Sequence, residues 1–376
     1  MRHLRVPKRW YQPLGLVVVV TTALLVGCSG PFPQSTLSPR GDFSTIVDAV
    51  FMKTVYLATL VFILVEGALL WAVFRFRGKP DDPEPHQIHG STVVEIVWTI
   101  VPAVVLAIVA VPTVRTIFST ARIPTSSPDG QPPLKVEVIG HQWFWEFRYP
   151  DLGITTANEL HVPVNRTVDL RLKSADVIHS FWVPQFAGKR DVFPNRETRL
   201  WFTAEVTGAF PGACGEYCGT EHARMDFYLM VQPADSFNAW VDLRHGDSLV
   251  AANGKPVAAK PATGAALPAA AAIAETTPSD SLIAQGQKLT GGAAKGCVNC
   301  HSFSSVNWKS PLNIGPNLAG IATRKMIAAG WLPNTDDNLK EWLQHTQQVK
   351  PDVKMVIPPV TDDEARALIA YLRTLR

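Results

Sequence analysis

Two stretches of this 376-residue chain, Val55–Phe74 and Ile96–Val114, hold one charged side chain between them, Glu66. Each is close to the roughly 20 apolar residues that an α-helix needs to cross a bilayer. They predict a transmembrane helical hairpin within residues 28–130, with spans over about 51–76 and 93–117. Arg75, Arg77 and Lys79 lie in the connecting segment, which the positive-inside rule places in the cytoplasm, although Asp81, Asp82 and Glu84 dilute the charge. Everything after Val114 is then outside the cytoplasm. Composition agrees with a membrane-anchored protein bearing exported domains: 47% of residues are hydrophobic and 18% charged. The net charge of +3, without a basic cluster, excludes nucleic acid as the expected partner.

The chain begins with Arg2, Arg5, Lys8 and Arg9, followed by the apolar run Leu14–Val26, Gly27 and Cys28. This order predicts a signal peptide over residues 1–27. Leu25-Val26-Gly27-Cys28 resembles a bacterial lipobox, which implies cleavage before Cys28 and lipidation of its thiol. An ordinary signal peptide, or a further membrane helix with an incidental cysteine, is the alternative.

Beyond the hairpin the pattern changes to period two. Leu134, Val136 and Val138, then Val168, Leu170 and Leu172, alternate with polar residues between Pro and Gly turns, predicting a Greek-key β-sandwich over residues 131–247. Residues 248–280 are rich in Ala and Pro and cannot bury enough apolar surface to fold, so they predict a linker. Residues 281–376 predict a compact all-α unit, closed by the amphipathic segment Thr361–Arg376 with Leu368, Ile369, Tyr371 and Leu372 on one stripe.

The sandwich contains the densest chemistry. Between Cys214 and Met225 stand two thiols, an imidazole at His222 and a thioether, a soft ligand set that favours copper. The Cys214–Cys218 pair alone would equally suit a disulfide, a redox dithiol or half a zinc site. The run from Cys214 to Met225 resembles the copper A loop of cytochrome c oxidase subunit II, and the resemblance continues at Val177-Ile178-His179-Ser180-Phe181-Trp182. It implies a cupredoxin-like domain with two copper ions held by His179, Cys214, Cys218, His222, Met225 and the Glu216 backbone carbonyl. It further implies that the Glu216 carboxylate faces a magnesium or manganese ion at a subunit boundary. Within the aromatic run Gly140–Tyr149, Trp143 matches the tryptophan that receives electrons in that family, while the other rings are expected in the core. His141 and His161 are expected to be structural, and His86 and His89 fall in the cytoplasmic segment.

The hairpin carries part of the same resemblance. Glu95-Ile96-Val97-Trp98-Thr99-Ile100-Val101-Pro102-Ala103 resembles the family's second-helix signature, which makes Glu95 a proton-uptake residue; a solvated acid at a helix start is the alternative. Glu66, inside the first span, is expected to pair with a partner subunit.

Cys297-Val298-Asn299-Cys300-His301 is the c-type haem attachment signature, with His301 as proximal ligand. Met355, in an irregular segment before the last helix, is the expected distal ligand in preference to Met326, which lies in a helix-like stretch. Gly286 and Tyr371 resemble the helix-crossing pair of class I cytochromes c, although no aromatic residue lies between Gly286 and Cys297. With Cys28, all five cysteines then have a role.

The full order resembles subunit II of the caa-type cytochrome c oxidases. That resemblance implies an electron-input subunit in a bacterial inner membrane, both redox domains extracytoplasmic, with subunits I and III as partners and oxygen chemistry in subunit I. The expected donor is a cytochrome c or an upstream quinol-oxidising complex. A copper A and haem c component of a nitrogen-oxide reductase is the alternative. A quinol oxidase subunit would lack the copper ligands, and a copper-delivery protein would need neither Met225 nor a haem.

Overall fold

The computed structural model describes Val19, Gln87 and residues 32–78, 90–253, 278–291, 294–306, 309–312 and 314–376. The expected signal peptide, Cys28, most of the polar segment with His86 and His89, and residues 254–277 of the expected linker lie outside these residues.

The hairpin consists of α1 (Asp42–Arg75, 34 residues) and α2 (Thr92–Thr120, 29 residues), with mean hydropathies of 2.3 and 2.5 over their most apolar windows, neither window buried by the rest of the protein. At 1.5 Å per residue α1 is about 50 Å long, well beyond a hydrocarbon layer of about 30 Å. It therefore begins earlier than the apolar span alone predicts. The extra turns are claimed by the sandwich: Asp42 Oδ1 accepts from the Thr203 amide at 2.7 Å and the Ser44 hydroxyl donates to the Gln185 carbonyl at 2.8 Å. Phe43 packs edge-on against Trp201 at 5.5 Å, and the Trp201 indole donates to the Thr120 carbonyl at 2.8 Å. Both long apolar helices are thus fastened to the β-sandwich at their ends.

That domain is a sandwich of two five-stranded sheets. The strands are β1 (Leu134–His141), β2 (Phe144–Tyr149), β3 (Ile154–Ala157), β4 (Glu159–Pro163), β5 (Thr167–Ser174), β6 (His179–Trp182), β7 (Arg190–Val192), β8 (Thr198–Thr203), β9 (Gly208–Cys214) and β10 (Asp226–Gln232). One sheet runs β3-β2-β1-β5-β8 and the other β4-β10-β9-β6-β7. The alternating apolar residues meet in register: Val136 lies beside Leu170 and Val138 beside Leu172 across the parallel β1–β5 pair, all fully buried. Trp145, Phe147, Phe181 and Phe227 fill the space between the sheets, with Trp145 and Phe181 edge-on at 5.6 Å. Helix α3 (Ala234–Asn253) follows β10.

The C-terminal unit has α4 (Asp280–Leu289), α5 (Cys297–Cys300), α6 (Asp336–Gln344), α7 (Thr346–Val349) and α8 (Asp362–Leu372). Ser279 caps α4, Thr335 caps α6, and Thr361 with Glu364 forms a capping box on α8. Gly286 sits against the Ala367 carbonyl and Tyr371, where any Cβ would collide, so the expected crossing pair is found. The unit is not purely helical. A two-stranded ribbon, β11 (Met326–Ile327) with β12 (Leu332–Pro333), interrupts it, so Met326 stands in a strand where the sequence suggested a helix. Ribbon strands of two residues have no periodicity to read, and the turn between them depends on positive φ at Ala328, Ala329 and Gly330.

Candidate copper and haem sites

Three strand ends of one sheet converge on the loop from Cys214 to Met225. His179 opens β6, Cys214 ends β9 and Met225 immediately precedes β10; pairing of Phe181 with Cys214 and of Ala213 with Asp226 brings the three ends together. The sulfurs of Cys214 and Cys218 are 3.8 Å apart, free thiols rather than a disulfide. His179 Nδ1 lies 3.9 Å from the Cys214 sulfur, and His222 Nδ1 lies 3.6 Å from that of Cys218. Met225 Sδ is 3.8 Å from Cys218 Sγ, and the Glu216 carbonyl is 3.3 Å from Cys214 Sγ. All six expected donors are therefore gathered around one point. His179 and Met225 are fully buried and both cysteines nearly so.

The electrostatics suit a cation at this point. The two thiols share one hydrogen bond, which pushes the Cys214 thiol down, helped by His179, and pushes the Cys218 thiol up, helped by burial. A metal ion removes that conflict by accepting both sulfurs as thiolates. Burial works against a charged His179, but the Asp176 hydrogen bond and the Cys214 sulfur outweigh it and raise its pKa. Asp176 Oδ1 lies 2.9 Å from His179 Nε2, which fixes the ring and leaves Nδ1 toward the sulfurs.

The shell around the loop explains the aromatic run. The Trp143 indole and the Gln142 side-chain amide donate to the Cys218 carbonyl at 3.1 and 2.8 Å. Gly219 adopts φ +121°, and a Cβ there would lie 2.8 Å from the Trp143 ring, so only glycine lets the indole reach the loop. Trp145 stays in the core and donates to the Met225 carbonyl at 3.4 Å. His141 bonds Glu146 at 2.9 Å and His161 bonds Gln232 at 3.0 Å, both as structural residues. Glu216 is half-buried, and its backbone carbonyl lies beside the Cys214 sulfur. Glu95 stands exposed in the first turn of α2, and Glu66 half-exposed midway along α1.

In the C-terminal unit, Cys297 and Cys300 occupy the single turn α5, and the His301 amide bonds the Cys297 carbonyl at 2.9 Å. The His301 Nδ1 donates to the Pro316 carbonyl at 2.7 Å, which sets the tautomer and leaves the Nε2 lone pair for a metal. Burial pushes the His301 pKa down, favouring the neutral imidazole that iron requires. Gly315 passes so close that a Cβ would lie 2.6 Å from the imidazole. These residues fit a covalently attached haem with an axial histidine. Met355 is half-buried against the core formed by Ile321, Leu339, Leu343 and Leu368, whereas Met326 is committed to the ribbon.

Sequence reasoning passed over Asp176, Gln142 and Lys350. Asp176 could have been noticed three residues before His179, but nothing local marks the other two.

Comparison with known proteins matches residues 152–232 to the periplasmic domain of cytochrome c oxidase subunit II, residues 37–116 to its transmembrane domain and residues 283–376 to cytochrome c. Cytochrome c oxidase subunit 2 of Alkalihalophilus pseudofirmus is 32% identical over 94% of both chains. That of Bacillus sp. PS3 is 33% identical over 94% of both, and that of Bacillus subtilis 30% identical over 98% of both.

Proposed function

Because this chain belongs to the cytochrome c oxidase subunit II family, we propose that His179, Cys214, Cys218, His222, Met225 and the Glu216 carbonyl hold copper A as a pair of copper ions, and that Cys297, Cys300, His301 and Met355 hold haem c. The chain is the membrane-anchored electron-input subunit of a haem-copper oxidase and associates with other oxidase subunits. Copper A and haem c supply one-electron couples that need little rearrangement between oxidation states.

The remaining roles fall to residues of the chain itself. Trp143, half-buried, donates one hydrogen bond to the Cys218 backbone carbonyl, which supports it as the residue of electron uptake. Glu95, at the start of α2, takes up protons for subunit I. The Glu216 carboxylate holds magnesium or manganese against the partner. Subunits I and III flank the uncovered hairpin, the membrane is the bacterial inner membrane, both redox domains face outward, and Cys28 is lipidated. The donor is a cytochrome c or a quinol-oxidising complex.

The observation that carries the reading is the pair of sulfurs 3.8 Å apart with a histidine Nδ1 beside each. Paramagnetic resonance of the purified chain should give the seven-line signal of one electron shared by two coppers, and Cys214→Ser should abolish it. Stoichiometric zinc, or a single isolated copper, would sink the assignment.

A further inference from the structure

The haem-bearing unit does not merely lie near the copper domain; cations and carbonyls interlock across the boundary. Lys350, directly after α7, is 1% exposed. Its ammonium donates to the Arg224 carbonyl at 2.7 Å, the Ala328 carbonyl at 3.2 Å and the Trp143 carbonyl at 3.4 Å. An ammonium has three donors, and all three are used. Two of the acceptors belong to the copper domain, one beside the ligand Met225 and one on Trp143 itself.

The exchange is reciprocal. Arg224 of the copper domain donates to the Val349 carbonyl at 3.0 Å and lies over the Trp331 ring at 4.7 Å. Ala328 and Ala329 hold φ of 51° and 58°, a region alanine rarely adopts. That conformation offers the Ala328 carbonyl to Lys350 and the Ala329 carbonyl to the Asp226 amide, the latter at 3.0 Å. Further along the boundary, the Thr155 amide bonds the Ser305 carbonyl at 2.9 Å and the Lys325 amide bonds Glu159 Oε1 at 2.7 Å. At the far edge Arg244 of α3 is pressed onto Gly320 and donates to the Thr323 hydroxyl at 3.0 Å.

We propose that Lys350 is a positioning residue that fixes the haem-bearing unit in one register on the copper domain, so that the surface around Trp143 is a docking site for this chain's own C-terminal unit. Burial pushes the Lys350 pKa down to about 8, against the opposing pull of Glu221 and Asp226, so the ammonium persists at neutral pH. A buried charge that satisfies carbonyls from two bodies at once tolerates only one relative placement, whereas apolar contact permits sliding. Removing it would leave those carbonyls without that donor in a place closed to water. The functional consequence rests on the copper and haem assignments; the docking itself does not.

Hydrogen exchange on the full-length protein separates the two. In Lys350→Met, the boundary-crossing amides of Thr155, Asp226 and Lys325 should exchange at least tenfold faster than in the unaltered protein. Amides inside each unit, such as those of β5 and α8, should be unchanged and report that both still fold. Lys350→Arg should restore much of the protection. Should Lys350→Met not accumulate, Lys350→Gln, which retains two donors, should give an intermediate acceleration. Unaltered protection of the three amides in whichever variant folds overturns the proposal. Haem-to-copper equilibration after flash reduction should slow and become viscosity-dependent in the same variant, with absorption and paramagnetic spectra intact; an unchanged rate overturns the positioning role even where exchange accelerates.

Discussion

Asp176, Gln142 and Gly219 show how residues of ordinary type acquire a role from their place beside a ligand. The proposed copper donors stand out in the sequence because soft side chains are scarce and five of the six sit within one loop and its close. Asp176 fixes the His179 ring, and its place three residues ahead is a local hint, whereas Gln142 fixes the Cys218 carbonyl with nothing local to mark it, so its role emerges only from the fold. The same holds for Glu146, which is buried and bonded by His141 and Arg148. Burial alone would raise its pKa, but the two bonds outweigh it and the pKa falls below 4.5. The sign follows: an acid with a lowered folded pKa contributes its stability fully above about 4.5 and loses it as pH drops through the folded value. At pH 7, Glu146→Gln should therefore unfold the copper domain at lower denaturant than the unaltered protein. The difference should shrink as pH is lowered below about 4.5 and vanish in acid, as followed by tryptophan fluorescence; a difference that is constant with pH would refute the linkage.

At the scale of elements, the apolar spans and the alternating strands were readable because their patterns follow their surroundings: apolar windows that the rest of the protein leaves uncovered for α1 and α2, a core on one side for β1 and β5. The boundaries were not. Helix α1 continues to Asp42 because the sandwich accepts its first turn through Thr203 and Gln185, contacts distant in sequence. The β11–β12 ribbon was invisible, since its register is set by a left-handed turn rather than by side chains. The crossing of α4 and α8, by contrast, was legible from one glycine and one tyrosine. Gly286→Val should place a branched Cβ 2.0 Å from the Ala367 carbonyl oxygen. Overpacking costs about 1–3 kcal/mol, and a backbone obstacle puts this case at the upper end. Thermal unfolding followed at the haem absorbance should fall by about 10 °C or more for a unit of this size, while the copper signal persists. An unchanged melting temperature would show that the crossing does not hold the unit together.

For the whole molecule, the sequence gives two redox units and a linker but not their mutual placement, because the boundary is built from backbone carbonyls and single cations that leave no pattern. Docking places the haem-bearing unit against the Trp143 backbone, a contact that the expected linker over residues 248–280 does not foretell. Rapid mixing with a reduced soluble cytochrome c should then show haem c reduced before copper A, with Trp143→Ala slowing the second phase and sparing the first. Copper reduced ahead of haem would mean that an outside donor reaches the copper domain past the docked unit. The contact of Arg244 with Gly320 has a consequence for building hybrids of such chains. Gly320 holds φ +71° and leaves a notch that the guanidinium fills. A foreign cytochrome grafted after α3 with any side chain at that spot could still fold and take up haem, yet Arg244 would refuse it a seat, so the chain screens its own passengers at a single missing Cβ.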